Sequence, residues 1–287
     1  MTWHDIADPN DPELDRLAAE YHLHPLHVED CRHRGQRGKA EEGKGYEFVV
    51  LKPVQMNADD ELTFSDLDIF VGPDWVITVR EGDPETSGDL LRPIRAAAGQ
   101  TPAGTLYRIF DATVDSYLPV TDRIDDVIDE LEELVLSDPS PEVLSRIFRT
   151  RRTLIELRRI LANTRDVAAH LYRTQHGLIP PDLIPFMRDV YDHVTRNLDL
   201  VETQRDLLGG AMDVYLSSVA NKTNQVMKVL TVLGTVALPV LVISGFWGMN
   251  VKGLPFSESP YGTLIVAGLM LATTLLLLAL LRVLKWF

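Results

Sequence analysis

The chain has a single cysteine, Cys31, among 287 residues, which excludes an internal disulfide and points to a reducing compartment. It also lacks a surplus of basic residues. With 28 Lys and Arg against 42 Asp and Glu, the net charge is -14, so a nucleic-acid partner, which needs cationic groups against phosphate, is not expected. Cations are the natural counterpart. The N-terminal stretch has no basic segment followed by an apolar core and small residues, so membrane targeting is expected to come from elsewhere in the chain. No Ser, His and Asp grouping in a recognisable context is present, and Gly35-Gln36-Arg37-Gly38-Lys39 lacks both the spacing and the final hydroxyl of a phosphate loop. Neither enzymatic chemistry nor an organic cofactor is indicated. His22, His24, His27, Cys31 and His33 form one cluster, whereas zinc ligands are usually split between two, so a role in folding or on the surface is the simpler reading.

What the chain does have is long apolar runs near its C-terminus. Met227 to Phe246 reads MKVLTVLGTVALPVLVISGF and Tyr261 to Leu281 reads YGTLIVAGLMLATTLLLLALL, each about the twenty residues that cross a bilayer. Two membrane spans are therefore expected, with a bend at Pro239, where one backbone hydrogen bond is lost. Lys222, Lys228, Arg282 and Lys285 flank the pair, and the short connection carries only Lys252 against Glu258. That asymmetry puts both termini in the cytosol, in a bacterial-type inner or plasma membrane.

Upstream, residues 1–104 mix a helical segment, PELDRLAAEYH, with strand-like YEFVVLKPV, DLDIFVG and WVITVR, separated by Gly43, Gly45, Pro53, Gly72, Pro73 and Gly82-Asp83-Pro84. This predicts an α/β domain. Residues 105–180 read as antiparallel helices, broken at Asp138-Pro139-Ser140-Pro141 and again from Gly177 to Pro181. A stalk helix over 181–225 would run on into the first span (226–247), followed by an external loop (248–260), the second span (261–281) and a cytosolic tail (282–287). Stalk and first span together imply a rod of roughly 90 Å at the standard helical rise, with Gly209-Gly210 as its weak point. Its stripe of Met187, Val190, Val194, Leu198, Val201, Leu208, Met212 and Leu216 needs partners, which oligomerisation is expected to supply. The helix after Thr121 is acidic (Asp122, Asp125, Asp126, Asp129, Glu130, Glu132, Glu133) and the next is basic (Arg146, Arg149, Arg151, Arg152, Arg158, Arg159), so an antiparallel pair would neutralise itself.

At the end of the first span stands Gly248-Met249-Asn250. With Met212-Asp213-Val214-Tyr215-Leu216-Ser217-Ser218, Asn221-Lys222-Thr223-Asn224, Val226-Met227-Lys228-Val229-Leu230-Thr231, Arg188-Asp189-Val190-Tyr191-Asp192-His193 and the early His24-Pro25-Leu26 to Glu29-Asp30, it resembles the CorA family of magnesium and related divalent-cation channels over most of its length. The resemblance implies a funnel-shaped homopentamer, an α/β cytosolic domain followed by stalk helices and two transmembrane helices. Gly248, Met249 and Asn250 would form the selectivity filter at the external mouth. The first spans would line the pore with Asn224, Met227, Leu230, Thr231, Gly234, Leu238 and Leu241. A ring of Asn250 amides suits magnesium, a small ion that sheds water reluctantly, and an apolar ring of Met227 and Leu230 can gate by expelling water. Leu241 stands where family members often carry a hydroxyl.

By the same resemblance Asp189 is a regulatory carboxylate that binds magnesium between neighbouring subunits and holds the channel closed, its partner expected from the strand region at Asp68 or Asp66. Paired with Arg188 or Arg196, Asp189 would instead be structural. Magnesium is the expected transported and regulatory ion, with cobalt, nickel or zinc possible. One competing reading is a ZntB-type zinc transporter, possibly proton-coupled; against it, neither span nor loop contains His or Cys, while the loop Val251-Lys252-Gly253-Leu254-Pro255-Phe256 lacks the acidic character common in magnesium members, which Glu258 partly offsets. Another is a membrane-anchored helical scaffold or sensor that transports nothing.

Overall fold

Three strand-like runs of the N-terminal region are apolar at nearly every position, a pattern that requires a sheet covered on both faces. The computed structural model, which describes residues 1–33, 35–58, 60–81, 87–97, 101–173, 178–251, 253–256 and 259–284, shows that sheet. Strands β1 (Thr2–Ile6), β2 (Lys39–Glu42), β3 (Glu47–Leu51), β6 (Leu67–Val71) and β7 (Trp75–Arg80) lie in the order β1-β7-β6-β3-β2. Only β1 and β7 are parallel; the other pairs are antiparallel. Strands β4 (Val54–Met56) and β5 (Leu62–Phe64) form a separate hairpin.

One face of the sheet, with Phe48, Val50, Phe70, Ile77 and Val79, packs against α1 (Pro12–Glu20) and α2 (Pro25–Arg32) through Leu14, Leu17, Val28 and Cys31. Both helices begin on a capping side chain followed by proline, Asp11-Pro12 and His24-Pro25, which satisfies a free N–H and presets the first helical φ. The histidine cluster is absorbed by this packing. His24 caps α2, His27 bonds Tyr46 and Glu41 and stacks on Phe48, and the Cys31 thiol donates to the His27 carbonyl. Gly45, at φ +85°, makes the turn between β2 and β3 that a side chain would strain.

Beyond α3 (Asp89–Ala96) come α4 (Pro102–Asp115), α5 (Tyr117–Ser137), α6 (Pro141–Arg173), α7 (Ile184–Trp247) and α8 (Gly262–Val283). The expected break at Asp138-Pro139-Ser140-Pro141 separates α5 from α6. A further break, which the sequence reading did not foresee, falls at Ser116 between α4 and α5. Pro119 accounts for it, since its ring leaves the Asp115 carbonyl without a helical donor and displaces the preceding turn.

The expectation that oligomerisation covers the stalk stripe needs correction over most of its length. Met187, Val190, Val194, Leu198, Val201 and Leu208 are already buried within the single chain. Gln204 donates to the Thr121 carbonyl on α5, and Arg158 on α6 pairs with Glu202. Only Met212, half-buried, and Leu216, exposed, are left for other partners. The acidic and basic helices neutralise each other only locally: among the described residues the ion pair between them joins Arg146 to Glu130.

The chain divides into two compact units, Met1–Val214 and Tyr215–Phe287. In the second, α7 continues unbroken past Pro239, and the apolar stretches of α7 and α8 are long enough to cross a membrane and almost entirely unburied. Gly82-Asp83-Pro84, Gly177, Lys252, Glu258 and Lys285 lie outside the described residues.

Candidate functional site

In the second unit, half-buried positions on α7 recur at Val232, Thr235, Val236, Pro239, Val240, Ile243 and Trp247, and on α8 at Val266, Met270, Thr273, Thr274, Leu277 and Leu278. This three-and-four spacing marks the face that each helix turns to the other. Asn224, Met227, Leu230, Thr231, Gly234, Leu238 and Leu241 all fall off that face and are exposed. Thr231 bonds its hydroxyl to the Met227 carbonyl one turn back, which leaves its oxygen lone pairs open. The expected pore residues therefore share one uncovered stripe, to which Leu241, 67% exposed, brings an apolar group.

Helix α7 ends at Trp247, whose indole N–H donates to the Pro255 carbonyl at 2.9 Å and ties the following loop to the helix end. The Gly248 N–H bonds the Ser244 carbonyl at 2.8 Å, and a Cβ at Gly248 would lie 2.9 Å from that oxygen. Glycine is thus needed for the chain to leave the helix so tightly. Met249 and Asn250 are exposed, and among the described residues the Asn250 amide has no hydrogen-bond partner. It offers a neutral oxygen at the end of the uncovered stripe.

The first unit holds a second constellation. Asp111 and Asp115, one turn apart on α4, meet His193 of α7, with one potential ligand atom from each lying within 4.8 Å of the others. Asp189, one turn before His193, places a carboxylate oxygen 3.8 Å from its Nε2. Burial, and then the charges of Asp115 and Asp189, hold the Asp111 carboxyl above the ordinary range, against the pull of His193 and a bond from Tyr107. Crowded carboxylates with an imidazole can hold a divalent cation: the oxygens suit magnesium, and the nitrogen suits cobalt, nickel or zinc. Asp189 is exposed, and no ion pair to Arg188 or Arg196 is seen among the described residues. The sequence reading named Asp189 and missed Asp111, Asp115 and His193. Their signal was the i, i+4 spacing of Asp111 with Asp115 and of Asp189 with His193.

Asp66 and Asp68 are not where that reading needed them. Asp66 is buried in an ion pair with Lys52 and accepts the Gln36 N–H at 2.9 Å. Asp68, 3% exposed, is the second residue of β6, beside Cys31, with one carboxylate oxygen lacking a hydrogen-bond partner among the described residues. Burial pushes its carboxyl up to about 8. Side chains enclosed by their own domain cannot face a neighbouring subunit, so the assignment of either as the partner of Asp189 is withdrawn. Glu29 and Asp30, by contrast, keep accessible carboxylates on α2, Asp30 bonded to Lys39 at 2.7 Å.

Comparison with known proteins places this arrangement. The family described as "CorA-like Mg2+ transporter protein" matches residues 1–282. The cobalt/magnesium transport protein CorA of Thermotoga maritima is 35% identical over 295 residues, covering 99% of this chain and 83% of that protein. The complete structure of the CorA magnesium transporter from Methanocaldococcus jannaschii superimposes with a TM-score of 0.85 at 25% identity, covering 98% of this chain and 89% of that one. The ZntB cytoplasmic domain from Vibrio parahaemolyticus, at 14% identity and a TM-score of 0.64 over 76% of this chain, shares the fold alone. With a match running from the first strand to the end of the second apolar helix, the chain belongs to the CorA-like Mg2+ transporter family.

Proposed function

We propose that this protein is the subunit of a homopentameric divalent-cation channel in a bacterial-type inner or plasma membrane, carrying magnesium ahead of cobalt and nickel, with both terminal parts in the cytosol. The observation that carries the reading is the exposed Asn250 amide, without a hydrogen-bond partner among the described residues, at the end of an uncovered α7 stripe. Repeated around an axis, that stripe becomes a conduit and the amides a ring of neutral oxygens, which fits an ion that keeps much of its water. Met227 and Leu230 form the apolar constriction, and Gly248, Met249 and Asn250 the filter. The names of the relatives, cobalt/magnesium transport protein and magnesium transporter, support the choice of cargo.

Asp189, Asp111, Asp115 and His193 are the group that binds the regulatory cation. Their mutual repulsion opposes the closed state unless a divalent ion neutralises them, which couples the cytosolic concentration to the gate. Glu29, exposed on α2, is an acidic side chain from which a neighbouring subunit can complete such a site.

Purified protein in liposomes loaded with an ion-sensitive dye provides the test, with magnesium, cobalt, nickel and zinc offered in turn. Asn250→Ala should lower magnesium flux at least about tenfold, the loss of roughly 1.4 kcal/mol of filter interaction, while the oligomer persists. Flux unaffected by that substitution would return the protein to the scaffold reading.

A further inference from the structure

Two surface features of the helical bundle have no partner within the chain. Between α5 and α7 runs a crevice of about 590 Å³, with Leu136, Leu207 and Val214 exposed along it and Glu132 and Asp206 at its rim. Leu136 is 72% exposed, unusual for a leucine whose helix otherwise buries Ile128, Leu131 and Val135. On α6, Phe148, Arg152, Ile155 and Arg159 recur at spacings of four, three and four, so they share one face, opposite the buried Val143, Thr150 and Leu157. Phe148 and Ile155 are 47% and 55% exposed. Among the described residues, Arg151, Arg152 and Arg159 form no ion pair, and neither do Asp129 and Glu132 of α5.

The two features complement each other. The crevice is apolar with an acidic rim, and the α6 face is apolar with a basic one. Within one subunit they occupy separate places: the crevice opens between α5 and α7, whereas Phe148 lines a hollow on the α6 side of α7 and Arg152 one beside Asp60 and Glu61. We propose that the α6 stripe of one subunit docks in the α5–α7 crevice of the next, Phe148 and Ile155 entering beside Leu136 and Leu207 while Arg152 and Arg159 face Asp129 and Glu132. A contact between different surfaces of identical chains is heterologous and repeats from subunit to subunit until a ring closes. This inference rests on the ring assembly proposed above and assigns the surfaces that join it in the cytosolic unit. Charge complementarity of this kind fixes register and partner more than it adds affinity, and the apolar knobs supply the burial.

The test uses the full-length chain in native membranes with Cys31→Ser, the only native cysteine, and the pair Leu136→Cys with Ile155→Cys. Mild oxidation should give a ladder of disulfide-linked multimers from the double variant and none from either single variant. Adding Arg152→Glu should reduce the ladder several-fold, and Glu132→Arg in the same chain should restore it. Intact rings by native mass with no ladder would overturn this surface and leave the ring standing. A product stopping at dimers, or one formed by a single variant, would also overturn it, since both signify a self-complementary contact. Monomers alone by native mass would sink the ring reading and this inference together.

Discussion

Asp66 and Asp68 differ from Asp189 only in what surrounds them. All three are aspartates in ordered segments, yet the sheet and α2 enclose two of them while α7 exposes the third. The consequence at Asp68 is measurable. Its carboxyl, near 4 in an unfolded chain, rises to about 8 in the fold because burial and the neighbouring Asp66 disfavour the charge. The folded state thus binds this proton more tightly than the unfolded state, and stability falls as pH rises from about 4 through about 8. Asp68→Asn should raise the thermal midpoint of the cytosolic transition by about 5 °C or more at pH 9 and by several-fold less at pH 5. A midpoint gain of equal size at both pH values would show that the carboxyl is not the titrating group.

At the scale of elements, α7 carries most of the argument. Its first half is held by side chains of α5 and α6, whereas from Leu216 onward none of its residues is buried and only the face turned to α8 is half-covered, which suits one helix to the proposed roles of stalk and membrane span. The period of the apolar residues was legible in the sequence; which neighbour covered them was not, because any apolar surface satisfies the same pattern. Pro119 shows the opposite case. Its chemistry was plain, but the position it breaks depends on which carbonyl loses its donor, one turn upstream. The gate belongs to this scale too. In the proposed channel a ring of Leu230 would block ions by excluding water, so Leu230→Ser should raise magnesium flux several-fold at high internal magnesium, where the proposal has the wild type closed, as read by dye-loaded liposomes. Unchanged closure would move the constriction elsewhere along the stripe.

For the molecule as a whole, a charge of -14 on each chain would oppose the proposed ring, and divalent cations would offset that repulsion. The double variant Asp111→Asn with Asp189→Asn should require about tenfold more internal magnesium for half-closure, as expected for losing roughly 1.4 kcal/mol of ion binding. Because the Asp111 carboxyl is held above its ordinary range, it keeps its proton to a higher pH and competes with the ion there. Mild acidification should therefore weaken closure by magnesium in the wild type and have less effect in the variant. The same flux titration, run at two internal pH values, reads both outcomes.

The chain by itself determined its two apolar helices long enough to cross a membrane, the α/β character of its first hundred residues, the helical break at Asp138-Pro139-Ser140-Pro141 and the family signature at Gly248-Met249-Asn250. Each of these is written in local chemistry: length, period, turn residues or a contiguous motif. Only the tertiary structure decided that Asp66 and Asp68 are enclosed, that Asp111 and Asp115 meet His193 across two helices, and that the stalk finds its cover within its own chain. Burial and proximity between residues distant in sequence are properties of packing, and no local pattern encodes which of several equivalent carboxylates the fold will hide.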